Sequence, residues 1–229
     1  MNLFERIKSS IKEDVSLDED LIQILEETDS KICVYDDFDG YGREYTITNP
    51  LTINENWIKE KIIITKSVSK TGYIINTDLI TKWLLENLDK NMYLTLENIV
   101  IMNDSEEDFD ELPLIDEKFS ELLEVNNLPD ENLVGLMWYY YQIVFVNIGT
   151  IVNTTKEMLE VGDLYEWEEK DTINSGIIST LVHEIRHLAQ ANPYLPEDVL
   201  NQKSDDETDA EDYARNICKG VLPYFLKNA

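Results

Sequence analysis

The sequence predicts an α+β fold, in which helices and a β-sheet pack around a shared core. Segments rich in β-branched and aromatic residues occur between residues 31 and 155 and are separated by turn-forming residues, as in strands. From residue 177 to residue 189 the apolar residues instead recur with the period of a helix. With 229 residues, 43% of them hydrophobic, the chain can bury one sizeable core or a core with a smaller lobe.

Six short segments of the N-terminal half carry helix or strand patterns. They are a helix at residues 17–27, strands at 31–35 and 44–48, a hairpin formed by 62–65 with 73–76, and a helix at 79–88. The loop at residues 36–42 is rich in aspartate and glycine. It is predicted to be a hairpin turn, because it lacks the ligand order and the terminal glutamate of a calcium-binding loop.

The segment from Asn132 to Thr155 contains no charged residue and is long enough to span a bilayer. Three consecutive tyrosines, Tyr139–Tyr141, lie inside it and its flanks lack clustered lysine or arginine, so we expect it not to span a membrane. Asn147 and Gly149 lie midway and predict a strand, a turn or bend, and a second strand. The acidic run at residues 103–111 before this segment predicts an exposed loop or linker.

The net charge of −28, from 47 acidic and 19 basic residues, bounds the function. It disfavours binding to nucleic acid through phosphates and docking on an anionic membrane. A basic substrate or partner would be attracted by this field, and the simplest role of the charge is to keep the protein soluble and monomeric.

Cysteine usage and the N-terminal residues indicate the compartment. Cys33 and Cys218 are too few and too far apart for a disulfide framework or a C-x-x-C metal site, so we expect buried thiols in a reducing environment. The first residues form a charged, amphipathic pattern without the apolar stretch of a secretion signal. We therefore expect a cytoplasmic protein.

Both histidines of the chain lie in one motif, His183-Glu184-Ile185-Arg186-His187. Residues four apart lie above one another on a helix, so both imidazoles can reach a single zinc ion while Glu184 lies beside it to act on a water molecule. The alternative is an ordinary helix with two exposed histidines beside a glutamate.

The flanking residues predict that this motif lies on a helix. The apolar residues fill an arc of about 140°; they are Ile177, Ile178, Leu181, Val182, Ile185, Leu188 and Ala189. The motif histidines and Glu184 occupy a separate arc, so they line a surface or cleft. Asn174 or Ser175 is predicted to cap the start of the helix, and Asn192-Pro193 to end it.

A catalytic zinc ion normally has three protein ligands, so a third ligand must follow the motif. No histidine remains, which leaves Cys218 or one of the carboxylates of residues 204–214. Ser204 and Glu207 match a capping box at the start of a helix. Alternatively, these carboxylates belong to a solvated helix start, where they interact favourably with the helix dipole.

Spacing selects Glu207 and Glu211 among these carboxylates. They share a face of the predicted helix with Ala210 and Ala214, whereas Asp209 and Asp212 point elsewhere. Small alanines would let this helix approach the motif helix closely. Glu207 would then reach the metal, and Glu211 a ring N–H of a ligating histidine.

Together the two segments resemble the gluzincin metallopeptidases in a compact form. The motif within residues 180–189 is followed by Glu207-x-x-Ala210-Glu211-x-x-Ala214, and Glu207 stands 20 positions after His187. The resemblance covers about forty residues and implies a zincin-like fold, with a mixed or antiparallel sheet beside the motif helix. The roles it implies are His183, His187 and Glu207 as zinc ligands, Glu184 as general base, and Glu211 as the support of a histidine.

The chain also departs from the gluzincin pattern. Arg186 is charged where the extended motif prefers an uncharged residue, and Glu211 stands where aspartate is commoner. Larger members place a downstream histidine or tyrosine on the oxyanion. Only a tyrosine can serve here, and the candidates are Tyr194, Tyr213 and Tyr224.

The resemblance implies a zinc-dependent metallopeptidase. We expect its metallopeptidase core to span residues 113–229, preceded by an α+β region of unknown role at residues 1–112. The substrate would be a peptide or protein, and the acidic surface favours a basic one. The alternative is a catalytically inactive binding protein on the same scaffold, which occupies a basic partner site or mimics nucleic acid.

Overall fold

The computed structural model describes residues 5–6, 9, 31–36, 43–103, 134–138, 141–192, 195, 200–202 and 204–221, and shows an α+β protein. The strands are β1 (Lys31–Asp36), β2 (Arg43–Thr48), β3 (Ile62–Ile64), β4 (Asn98–Met102), β5 (Gly135–Trp138) and β6 (Ile143–Asn147). The α-helices within the described ranges are α1 (Glu55–Lys61), α2 (Thr77–Asn87), α3 (Ile148–Val161), α4 (Glu169–Gln190) and α5 (Asp206–Ile217).

The central sheet has the strand order β3-β4-β6-β5 and is mixed. Strands β3, β4 and β6 run parallel to one another, and β5 pairs antiparallel with β6 at one edge. β4 and β6 are almost continuously apolar and buried, as expected for parallel strands covered on both faces. Helix α4 packs against β5 and β6, so the edge strand lies beside the motif helix.

The predicted hairpin near the N-terminus is confirmed. β1 and β2 pair antiparallel in a separate two-stranded sheet, with Lys31 opposite Thr48. This sheet joins the core through Ile47, which is fully buried, and through Thr48, whose N–H donates to Leu94 O at 2.8 Å.

The predicted hairpin of residues 62–65 with 73–76 is wrong. Ile62–Ile64 does form a strand, but it pairs in parallel with β4, and residues 73–76 form no strand. Gly72 ends a 3₁₀ turn in the left-handed conformation, and Asn76 caps α2 by accepting from Leu79 N–H. The apolar residues between Gly72 and Asn76 are too few to specify a strand. The predicted helix at residues 79–88 is confirmed by α2.

The charge-free segment from Asn132 to Thr155 contains two strands, but the turn lies earlier than predicted. Tyr141 and Gln142 belong to the turn between β5 and β6. Asn147 instead caps α3, because its side chain accepts from the N–H groups of Gly149 and Thr150. The prediction of a strand after Gly149 is therefore wrong, and the β-branched residues there lie on the buried face of a helix. No helix in the described ranges is long and apolar enough to cross a bilayer.

Strands from both sides of residue 112 share one sheet. β3 and β4 precede that position, β5 and β6 follow it, and the main hydrophobic cluster extends from Ile47 to Val221. Within the described ranges, the predicted N-terminal region and the predicted metallopeptidase core thus pack together. The predicted helix at residues 17–27, the turn at 37–42 and the acidic run from residue 104 onward lie outside the described residues.

Candidate metal centre

Helix α4 carries the histidine motif and starts earlier than predicted. It begins at Glu169 after a 3₁₀ turn, so Asn174 lies inside the helix and is buried rather than capping it. The helix ends at Gln190, before Asn192-Pro193, as predicted. His183 and His187 are partly exposed one turn apart, and their Nε2 atoms lie 3.1 Å from each other.

Helix α5 brings a carboxylate to the two histidines. Its N-cap is Asp205, which accepts from Thr208 N–H, rather than the predicted Ser204. Ala210 and Ala214 are buried on the face that contacts α4, so the two helices approach closely. Glu207 Oε1 lies 3.3 Å from His183 Nε2, and Glu207 Oε2 lies 3.2 Å from His187 Nε2.

Each histidine nitrogen faces a different oxygen of the Glu207 carboxylate, and one donor atom from each of the three residues lies within 4.8 Å of the others, close enough to share a metal ion. Zinc binds nitrogen and oxygen ligands at about 2.0–2.1 Å, so two ligands of a tetrahedral site lie about 3.3–3.4 Å apart. His183, His187 and Glu207 are the group of side chains within the described residues whose donor atoms could share one ion. The structure therefore brings the three predicted ligands together, and metal binding itself stays a prediction.

Glu184 is buried beside this group, against the edge strand. The backbone N–H of Met137 in β5 donates to its carboxylate. Burial, reinforced by the negative charge of Glu207, raises the pKa of Glu184 to about 8. A Cβ at Gly135 would lie 2.8 Å from Glu184 Oε1, so a glycine there allows the strand to approach the catalytic candidate.

The electrostatic surroundings favour a neutral His183. Burial lowers its pKa, and the neighbouring His187 lowers it further, while Glu207 and Glu211 act in the opposite direction. A neutral imidazole can present a lone pair to a metal ion, which an imidazolium cannot.

A second cluster of polar side chains lies behind the histidines, in the contact between α4 and α5. Its members were not predicted as site residues. Arg186 Nε donates to Asp209 Oδ2 at 2.7 Å, and Arg186 Nη2 donates to Leu200 O at 2.8 Å. Gln190 lies between this pair and His187, with its Oε1 2.8 Å from His187 Nδ1. Arg186 was the signal in the sequence that could have predicted this group. It is a charged residue among the apolar residues of α4, and a buried arginine requires a carboxylate partner.

The remaining predicted residues lie around the cavity or outside the described part. Glu211 lines the cavity, and its Oε2 accepts from Arg215 Nη2 at 3.4 Å. Tyr213 does not line the cavity; its ring lies 4.8 Å from the Arg186 guanidinium carbon, and burial raises its pKa. Tyr194 and Tyr224 lie outside the described residues.

An open cavity of about 970 Å³ lies over the three predicted ligands, between the two helices and the edge strand. Val134, Gly135, Leu136 and Met137 form its strand wall. Asn147 N–H donates to Val134 O, so alternation along the antiparallel pair turns the backbone groups of Gly135 and Met137 away from β6. Met137 N–H binds Glu184, and among the described residues no other strand pairs with this side of β5. An extended chain in the cavity could therefore pair with the backbone of Gly135 and the carbonyl of Met137.

The chain shows no significant match to known protein families, to curated proteins or to solved structures.

Proposed function

We propose that this protein is a zinc-dependent metallopeptidase of gluzincin type, with a zincin-like fold. The observation that carries the proposal is the convergence of His183 Nε2, His187 Nε2 and a Glu207 carboxylate at 3.1–3.3 Å from one another. An antiparallel edge strand beside the motif helix and a close second helix support it. His183, His187 and Glu207 would hold the ion.

A bound zinc ion supplies a Lewis acid for the scissile carbonyl and lowers the pKa of its water ligand to about 7. Glu184 is the general base in this proposal. Its carboxylate accepts a proton from the attacking water and delivers it to the leaving amine. The hydrogen bond from Met137 N–H fixes the orientation of that carboxylate, and burial makes it a stronger base than an exposed glutamate.

The cavity supports an extended peptide as the substrate. The Gly135 backbone and the Met137 carbonyl, which face away from β6, would pair with its backbone, as in other complexes formed by strand addition. The carboxylates of Asp206, Glu207 and Glu211 line the opposite wall, with Arg215 beside them. This wall and the net charge of −28 favour basic side chains in the substrate. A cytoplasmic location, with neither nucleic acid nor membrane as partner, completes the proposal.

Activity on an unstructured basic peptide tests the proposal, with zinc content measured on the same samples. Glu184→Gln should retain zinc and lose at least about 100-fold in kcat, because a general base contributes that much. His183→Ala should lose both zinc and activity. A chelator should abolish wild-type hydrolysis, and added zinc should restore it.

Full hydrolysis by Glu184→Gln would contradict the assignment of the general base. Zinc binding without hydrolysis by the wild-type protein would favour the inactive, acidic binding protein instead. A stoichiometric complex with a basic partner would then be the expected finding.

A further inference from the structure

The side-chain amide of Gln190 uses both its nitrogen and its oxygen between α4 and α5. Its Nε2 donates to Asp206 O at 2.9 Å and to Asp209 Oδ2 at 3.0 Å. Its Oε1 lies 2.8 Å from His187 Nδ1. Asp209 Oδ2 also accepts from Arg186 Nε, so Arg186, Asp209, Gln190 and His187 form one connected chain of hydrogen bonds.

The two acceptors next to Gln190 determine the orientation of its amide. A main-chain carbonyl and a carboxylate can only accept, so the amide nitrogen must face both. The amide oxygen then faces His187. Since that oxygen can only accept, His187 Nδ1 must carry the proton, and in a neutral ring Nε2 is left with its lone pair.

We propose that Gln190 is a positioning residue that selects the Nδ1–H tautomer of His187, and that the buried Arg186–Asp209 pair holds Gln190 in place. The charge of Arg186 therefore has a role in the site, because it holds Asp209 and, through it, Gln190. The consequence for metal affinity rests on the proposed function. The tautomer of a neutral His187 does not, because it follows from the hydrogen bond to Gln190. Its Nε2 can then accept from Nε2–H of His183 at 3.1 Å, while Glu207 Oε2 lies 3.2 Å away.

The tautomer matters because His187 Nε2 points at Glu207 Oε2 and His183 Nε2. A ring without this support would spend part of its time with a proton on Nε2, where it cannot bind a cation. Removal of such a partner typically lowers metal affinity 10–100-fold.

Nitrogen NMR of the metal-free protein tests the tautomer directly. The chain has only two histidines, so long-range ¹⁵N–¹H spectra of tag-free protein at mildly alkaline pH contain two imidazoles. The expected spectrum shows a protonated Nδ1 and an unprotonated Nε2 for His187. In Gln190→Leu, this pattern should give way to a tautomer mixture, and zinc affinity measured by chelator competition should fall 10–100-fold.

Gln202→Leu is the matched control, since the Gln202 amide donates to Ser204 O and Asp206 Oδ1 rather than contacting a histidine. It should leave both readouts unchanged. A wild-type His187 protonated at Nε2 and not at Nδ1 overturns the inference, and this measurement does not depend on the folding of a variant. An unchanged His187 spectrum in a folded Gln190→Leu protein overturns it as well. Wild-type protein with the expected tautomer but no zinc binding would refute the proposed function and still support this inference.

Discussion

Asp209 and Asp212 lie three residues apart on the same helix and each binds an arginine, but their surroundings differ. The Asp209 side chain is 12% exposed and bridges α5 to Arg186 of α4 at 2.7 Å. The Asp212 side chain is 59% exposed and binds Arg215 of its own helix at 2.9 Å. The difference shows that the stability an ion pair contributes depends on its burial and on whether it connects two elements, not on the number of ion pairs.

Asp209→Ala breaks the buried member of this comparison and should have the largest effect. It leaves the Arg186 guanidinium buried without its carboxylate, so the free energy of unfolding should fall by about 3–5 kcal/mol. The Tm of a chain of this size should fall by roughly 6–20 °C. Thermal and denaturant unfolding of the metal-free protein measure this loss. A change no larger than that caused by Asp212→Ala would show that the pair does not hold the helices together.

Glu184 sharpens the comparison, because it is a buried carboxylate whose partner is a backbone N–H rather than an arginine. Its pKa is raised from 4.5 to about 8, so the folded state favours the protonated form. Below pH 4.5 this preference contributes its full stability to the folded protein. That contribution is lost as the pH rises through 8 and the buried carboxyl ionises. Between those limits the metal-free wild-type protein should lose up to about 5 kcal/mol more than Glu184→Gln. Parallel pH dependences of the two proteins, measured by denaturant unfolding, would contradict the raised pKa.

Asp212→Ala should have the smallest effect and provides the control for Asp209→Ala. It removes the same side chain from the same helix, but breaks an exposed i,i+3 pair whose contribution is about 0.5 kcal/mol or less. Zinc content and Tm should both stay close to those of the wild-type protein. A loss comparable with that of Asp209→Ala would mean that the exposed charges of α5 matter as much as the buried ones.

Local periodicity was sufficient to predict which residues of the candidate site come together. Two histidines four apart share a helix face by geometry alone, and the alanines at 210 and 214 indicated which face of α5 meets α4. Gln190 and Asp209 could not be predicted in the same way. Their pairing depends on how the two helices pack, and the spacing of Gln190 and Asp209 along their own helices does not specify it.

The errors in the predicted fold have a related cause. Asn147 is favoured both in turns and at helix N-caps, and its sequence neighbours do not distinguish the two. The run from Tyr73 to Ile75 is apolar but short, and tertiary packing, not its composition, decides that it is irregular. The α+β class and the β1–β2 hairpin were predictable, because they depend on alternation and turn signals within one segment.

The zinc content of tag-free protein purified without added metal tests the central claim most directly. The convergence of His183, His187 and Glu207 predicts about one zinc ion per chain, with little or none in His183→Ala and Glu207→Ala. Wild-type protein that holds no zinc even after exposure to it, or variants that bind it as well as the wild type, would contradict the claim.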